Sequence, residues 1–353
     1  MKPNKITALQ YSTITFFLLN SFIMNIGYNK LTTTSYNDSI LDILLGGIFI
    51  LIFSIIIFKF QQKNREHIIN IIHNIFPKPI KFLILITLFL IIGFSTTYSL
   101  TTLSSFINYY ILKEIGLFII TVTLISTILY IVSKGLSTIG KISEIFFYIY
   151  ILIFIISTIG LIKYIDFSNL KPLFTTNFSN HLYSSIIYFF SSIIPLFLIT
   201  IIPTKQVEFK SKNKKLPYIF ITLSIILIFI QLCYIISVLG IHLASTYQIP
   251  EMIIYKKISF LNILERIETI LALNNILNSI FLIIMSIYFM KEVINNITKS
   301  KKEHIILALL GIVLIFLCNI LPIHTSIYLL MSFLLLISLI LIIITHYLYK
   351  YIH

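Results

Sequence analysis

The chain has 353 residues, of which 58% are hydrophobic and 11% charged, and its mean hydropathy is +1.02. These values lie outside the range of a soluble domain and define an integral membrane protein. The formal net charge of +14 does not point to nucleic acid. The basic residues sit in short loops flanking apolar runs, where anionic lipid headgroups are the nearer partner.

Cutting the chain at charges, prolines and polar clusters leaves ten apolar segments, each about 20 residues or longer, the length of a spanning helix. In chain order they centre on Phe17, Phe49, Ile92, Val122, Phe154, Phe190, Phe229, Ile276, Val313 and Leu335. The first, from about Ile6 to Ile26, is long enough to span by itself, so no cleaved signal peptide is expected. It ends in LLNSFIMNIGYNKL, where Asn20, Asn25 and Gly27 interrupt the apolar pattern. Between the second and third segments, Ile68, Ile71, Ile72 and Ile75 recur at helical spacing. That spacing predicts a short amphipathic helix lying on the cytoplasmic face, with an ordinary structured loop as the alternative. The sixth segment contains YFFSSIIPLFLITIIP, with Ser191, Ser192 and Pro195 near its middle. Cys233 and Cys318 lie inside apolar runs and suit packing better than a disulfide or a metal site. The eighth segment opens with FLNILERIETILALNN, in which Glu265, Arg266 and Glu268 precede Asn274, Asn275 and, a turn later, Asn278.

Charge sets the orientation. With the N-terminus inside, 19 of the 26 basic residues fall on the cytoplasmic side, which fits ten spans with both termini cytoplasmic. Ten spans divide into five plus five of opposite orientation. This predicts one transmembrane domain over 1–353, with repeat one at about 6–165 and repeat two at about 178–350, on the inverted-repeat plan in which the first helix of each half is broken. Gly27 tolerates unwound backbone in the first span, and Pro195 removes a donor in the sixth and frees the carbonyl near Ser191. A helix-end glycine and a plain proline kink are the alternative for either alone. Their matching positions in the two halves favour paired breaks.

Several motifs, taken in order, resemble the spore germination permeases, the membrane-spanning B subunits of germinant receptors. NDSILDILLGG supplies Asp38, Gly46 and Gly47; SKGLSTIGKISEI supplies Lys134, Gly135 and Glu144; DFSNLKPLF supplies Asp166, Leu170 and Pro172. IPEMIIYKKISFLNILERIE adds Pro250, Phe260, Leu261, Glu265, Arg266 and Glu268. The resemblance implies a fold like that of the bacterial leucine transporter, within the amino acid, polyamine and organocation transporter superfamily. It implies a place in the spore inner membrane, recognition of a small germinant such as an amino acid, and two partners: a membrane A subunit and a lipoprotein C subunit. The chain departs from the family in having a single glycine at the first break, and in lacking a glycine and an acidic residue after the proline of the sixth.

In that architecture the ligand lies between the broken first and sixth spans, walled by the third and eighth, where exposed helix ends offer amides to a carboxylate and carbonyls to an ammonium. The candidates are Asn25 and Gly27 from the first span, Ser191, Ser192, Pro195, Leu196 and Phe197 from the sixth, and Tyr98 from the third. For Tyr98 a hydroxyl satisfied by a neighbouring helix is the alternative. On the eighth, a helical projection puts Glu268, Ala272, Asn275, Ser279 and Ser286 on one stripe, with Arg266 on the opposite side. Asn275 and Ser279 are therefore pocket candidates. Glu265 and Glu268 belong at the outer mouth, because charge at mid-membrane is expensive. No catalytic, metal or cofactor motif is present, so an enzyme is not expected. The alternatives to a receptor subunit are a working amino acid or cation transporter of the same fold, and a structural or conduit subunit that binds no ligand.

Overall fold

In a chain this apolar, backbone polar groups inside a bilayer must be satisfied within the segment, which leaves helices as the economical solution. The structure is a computed structural model, and it describes residues 5–209, 213–258, 267–298, 302–320 and 324–352. Its helices are α1 (Ala8–Asn20), α2 (Phe22–Asn25), α3 (Tyr28–Ser35), α4 (Ser39–Asn64), α5 (Ile68–Ile75), α6 (Lys78–Phe106), α7 (Leu117–Ser133), α8 (Leu136–Leu161), α9 (Phe178–Ser191), α10 (Ile193–Ile199), α11 (Leu216–Thr246), α12 (Pro250–Lys257), α13 (Ile267–Thr298), α14 (Glu303–Ile320) and α15 (Thr325–Ile352). Among the described residues, eight stretches are long and apolar enough to cross a membrane. They run over Tyr28–Asn64, Lys78–Ile111, Leu136–Tyr164, Phe178–Ile199, Leu216–Thr246, Glu268–Thr298, Glu303–Ile320 and Thr325–Tyr349. The expected span around Val122 is the shorter apolar helix α7, of 17 residues. The one around Phe17, about Ile6 to Ile26, is divided into α1 and α2, and α3 begins beyond it.

Burial separates the centre from the periphery. The apolar window of α13 is 78% buried and that of α9–α10 72%, against 28% for α15. At the centre, α1 packs against α8, α10, α11 and α13. Its start is fixed by a capping box: Thr7 Oγ1 accepts from the Gln10 amide at 3.2 Å, and Gln10 Oε1 accepts from the Thr7 amide at 3.1 Å. Just before it, Ile6–Thr7 pairs in parallel with Val207–Glu208, in the register Ile6 to Val207.

Two close approaches explain the glycine pair of the second predicted span. A Cβ on Gly46 would sit 2.7 Å from the Ser185 carbonyl, and one on Gly47 would sit 2.7 Å from Ile225 Cγ2. The pair therefore lets α4 lie directly on α9 and α11. Above it, Asp38 accepts from the backbone amides of Phe174, Thr175 and Thr176, tying the loop before α9 to the start of α4. His181 extends this tie, with its Nδ1 2.7 Å from Asp42 Oδ1. The predicted amphipathic segment is helical, as α5, but its apolar face is buried on α6, α13 and α15. It braces the protein from within instead of lying on lipid.

Candidate functional site

The first break spans Asn20 to Gly27. Ser21 keeps helical angles, and its hydroxyl folds back onto the Leu18 carbonyl at 2.6 Å, while Gly27 adopts φ +80° and ψ 162°. A left-handed φ of this kind suits glycine and strains other residues. The chain therefore leaves α2, turns at Gly27 and restarts as α3. The second break is slighter. α9 ends at Ser191, Ser192 sits at φ −87° and ψ −10°, and α10 follows at once with every residue buried. Pro195 has no N–H to offer the carbonyl one turn back. That carbonyl, on Ser191, instead accepts from the Tyr328 hydroxyl at 3.4 Å.

One network joins the two breaks. The Tyr98 hydroxyl on α6 donates to the Asn25 carbonyl at 2.5 Å. Asn25 Nδ2 lies 3.4 Å from the Tyr328 hydroxyl, and the Tyr98 and Tyr328 rings are 5.3 Å apart. Asn25 Oδ1 is buried and has no hydrogen-bond partner among the described residues. Tyr328, near the start of α15, was not singled out from sequence; it is one tyrosine among 21, and no pattern marks it.

A second polar cluster lies beside the first, around α12. Asn275 Nδ2 donates to Glu251 Oε1 at 3.2 Å, and the Tyr255 hydroxyl accepts from Gln231 Nε2 at 2.9 Å. Glu251 Oε2, the Tyr28 hydroxyl and Ser279 Oγ are buried without hydrogen-bond partners among the described residues. Asn278 approaches the Tyr150 hydroxyl without forming a well-aligned hydrogen bond. Glu251 lies outside the spanning stretches, yet burial pushes its carboxyl up to about 8, opposed by its own backbone amide and by Asn275. An acid two residues into a loop helix that follows Ile249–Pro250 is visible in sequence, but nothing there reveals that it turns inward.

The remaining candidates divide. The hydroxyls of Ser191 and Ser192 are spent on their own helix, bonding the Tyr188 and Phe189 carbonyls at 2.6 Å each. Leu196 and Phe197 are fully buried, and Phe197 packs edge-on against Phe289 at 5.2 Å, so both belong to the core around α10. Glu268 is half-buried in the first turn of α13, whereas Glu265 and Arg266 lie outside the described residues.

Spanning-length apolar helices arranged around buried, interrupted helix segments define an integral membrane protein of permease type. Residues 5–326 match the spore permease family, described as spore germination protein, and the chain belongs to that family. Among solved structures, three crystal structures of single-residue variants of a manganese transporter from Eremococcus coleocola align with TM-scores of 0.43, 0.44 and 0.44. Each is 11% identical, covering 95% of this chain and 70% of the transporter. No curated protein matches the chain.

Proposed function

We propose that this chain is the B subunit of a germinant receptor, binding a small germinant such as an amino acid between two broken helices and passing the resulting conformational bias to A and C partner subunits. The proposed topology is one domain of ten spans in a five-plus-five inverted repeat. In it α1 to α3 form the first span, α9 and α10 form the sixth, both termini are cytoplasmic, and the protein resides in the spore inner membrane. The observation that carries the reading is the Tyr98–Asn25–Tyr328–Ser191 network, which links both breaks through backbone carbonyls. Asn25, Gly27, Tyr98, Asn275 and Ser279 line the proposed pocket, with the Ser191 carbonyl and Tyr328 added. Ser192, Pro195, Leu196 and Phe197 shape it from behind, and Glu268 stands at the outer mouth. A ligand shifts such an equilibrium only by binding one state more tightly than the other.

The test combines binding and germination. Full-length protein in nanodiscs is titrated with the common amino acids, and spores carrying Asn25→Ala or Gly27→Ala are scored for germination. Binding by the wild type, with both variants weakened in binding and germination, supports the reading. Absence of binding, with normal germination of both variants, overturns it. Uptake of the bound amino acid into proteoliposomes would instead make the chain a working transporter.

A further inference from the structure

Glu251 is the charged group near the helix break that the pocket leaves unexplained. It is 1% exposed, its Oε2 has no protein partner, and no ion pair reaches it among the described residues. The two lysines of its own helix are engaged elsewhere: Lys257 Nζ donates to the Val238 carbonyl at 3.0 Å, and Lys256 Nζ lies 5.8 Å from the Tyr110 ring centre. A carboxylate held this way is expensive unless a cation joins it.

The surroundings suit one kind of cation. Tyr28 carries a buried hydroxyl with no partner among the described residues and lies within electrostatic reach of Glu251, as does Tyr255. Tyr150 is within electrostatic reach of both tyrosines. Asn275, which holds Oε1, is one helical turn from Ser279, whose hydroxyl is also buried and unpartnered. A carboxylate oxygen and two hydroxyl acceptors, with further tyrosines within electrostatic reach, make up the recognition chemistry of an organic ammonium.

We propose that Glu251 is the counter-ion for the ammonium group of the ligand, with Tyr28 and Ser279 as further acceptors, so that the site selects amines over neutral isosteres. The assignment to the germinant rests on the pocket reading above. Among the described residues, the ionisable groups with an electrostatic interaction with Glu251 are Tyr28 from α3, Tyr110 from the turn after α6, and Tyr255 from its own helix, with Tyr150 of α8 interacting with Tyr28 and Tyr255. All are phenols that stay neutral near pH 7, so a pH dependence of cation binding in that range reports Glu251.

The experiment uses the purified full-length protein, with butylamine as probe, butyramide as its neutral counterpart and potassium chloride as the inorganic cation, read by thermal stabilisation and calorimetry. Butylamine is expected to bind the wild type with an affinity that rises from pH 6 to 8.5, while butyramide and potassium do not bind. Glu251→Gln should weaken butylamine roughly ten-fold or more and flatten its pH profile; Glu251→Asp, which retracts the charge, should fall between. Both variants should elute as the wild type does on size exclusion. Equal butylamine affinity in wild type and Glu251→Gln, equal binding of butyramide or potassium, or no butylamine binding overturns the assignment. Amino acid binding that needs Asn25 but ignores Glu251 would sink the counter-ion and leave the pocket. Butylamine binding that needs Glu251, with amino acid binding and germination indifferent to Asn25, would do the reverse.

Discussion

Asp38 and Glu251 are both buried acids in a chain that largely avoids charge, and they are treated in opposite ways. Asp38 accepts three backbone amides, from Phe174, Thr175 and Thr176, together with the Thr176 hydroxyl at 2.9 Å. Glu251 accepts one side-chain amide, from Asn275, and its second oxygen has no partner among the described residues. Buried polar atoms whose bonding capacity is filled hold a fold together; those left open are either strained or kept for something that binds. By this criterion Asp38 is a staple, and Glu251 is the group proposed to meet a ligand.

The largest expected effect separates the two by stability. Asp38→Ala strands three amides at the junction of α4 and α9 and should cost about 3 kcal/mol or more in unfolding free energy. Glu251→Gln removes a half-paired buried acid and should cost under about 1 kcal/mol, or stabilise the protein. Thermal unfolding of the two variants in the same detergent checks this. Similar losses in both would dissolve the distinction.

The next effect is a pH dependence. Burial raises the Glu251 carboxyl from 4.5 to about 8, so between those values the folded protein binds the proton and the unfolded chain does not. Stability from this group is therefore full at the acid end of the window and declines as pH rises towards 8. The melting temperature of the wild type should fall more steeply from pH 5 to 8 than that of Glu251→Gln. The difference between the two curves isolates the group from every other titration. Parallel curves would mean that Glu251 is not desolvated.

The contrast between these acids also measures what the sequence could disclose. Asp38 was legible because it sits in a motif, NDSILDILLGG, whose glycines also turn out to face backbone and side chains at close range. Gly27 was legible only through its expected pairing with Pro195 at a matching position, since alone it also reads as a helix-end glycine; its φ of +80° gives the physical reason for a glycine there. The stripe of Ala272, Asn275 and Ser279 followed from helical periodicity, and all three are buried. Glu251 and Tyr328 were not legible. Each acts through a tertiary contact across a large sequence separation, Glu251 with Asn275 and Tyr328 with Asn25 and Ser191. No local pattern encodes which face of a short loop helix turns inward. The hydroxyls of Ser191 and Ser192 bond the carbonyls of Tyr188 and Phe189 on their own helix: a helical hydroxyl can be consumed by the preceding turn, and sequence does not say when.

Tyr98 tests the inner network. Its hydroxyl holds the Asn25 carbonyl at 2.5 Å, a group freed by the helix break, so Tyr98→Phe should cost about 1 kcal/mol in stability. The ring remains to pack against Tyr328 at 5.3 Å, which limits the loss to the bond. A loss well above that would mean that the network, and not the packing of α2, fixes the break.

The smallest expected effect compares two buried serines. Ser192 Oγ donates to the Phe189 carbonyl at 2.6 Å, whereas Ser279 Oγ has no protein partner. Hydroxyls bonded back within a helix contribute little to its stability, so Ser192→Ala should change unfolding free energy by less than about 0.5 kcal/mol and leave ligand binding alone. Ser279→Ala should be equally mild in stability, since it deletes an unsatisfied group, but it should weaken ligand binding because that hydroxyl is free to meet a ligand. Measuring both variants by thermal unfolding and by titration with whichever amino acid binds the wild type separates spent from open hydroxyls at nearly constant stability. If Ser192→Ala weakens binding and Ser279→Ala does not, the open groups along α13 are not the ligand surface, and the pocket must be rebuilt around α9 and α10.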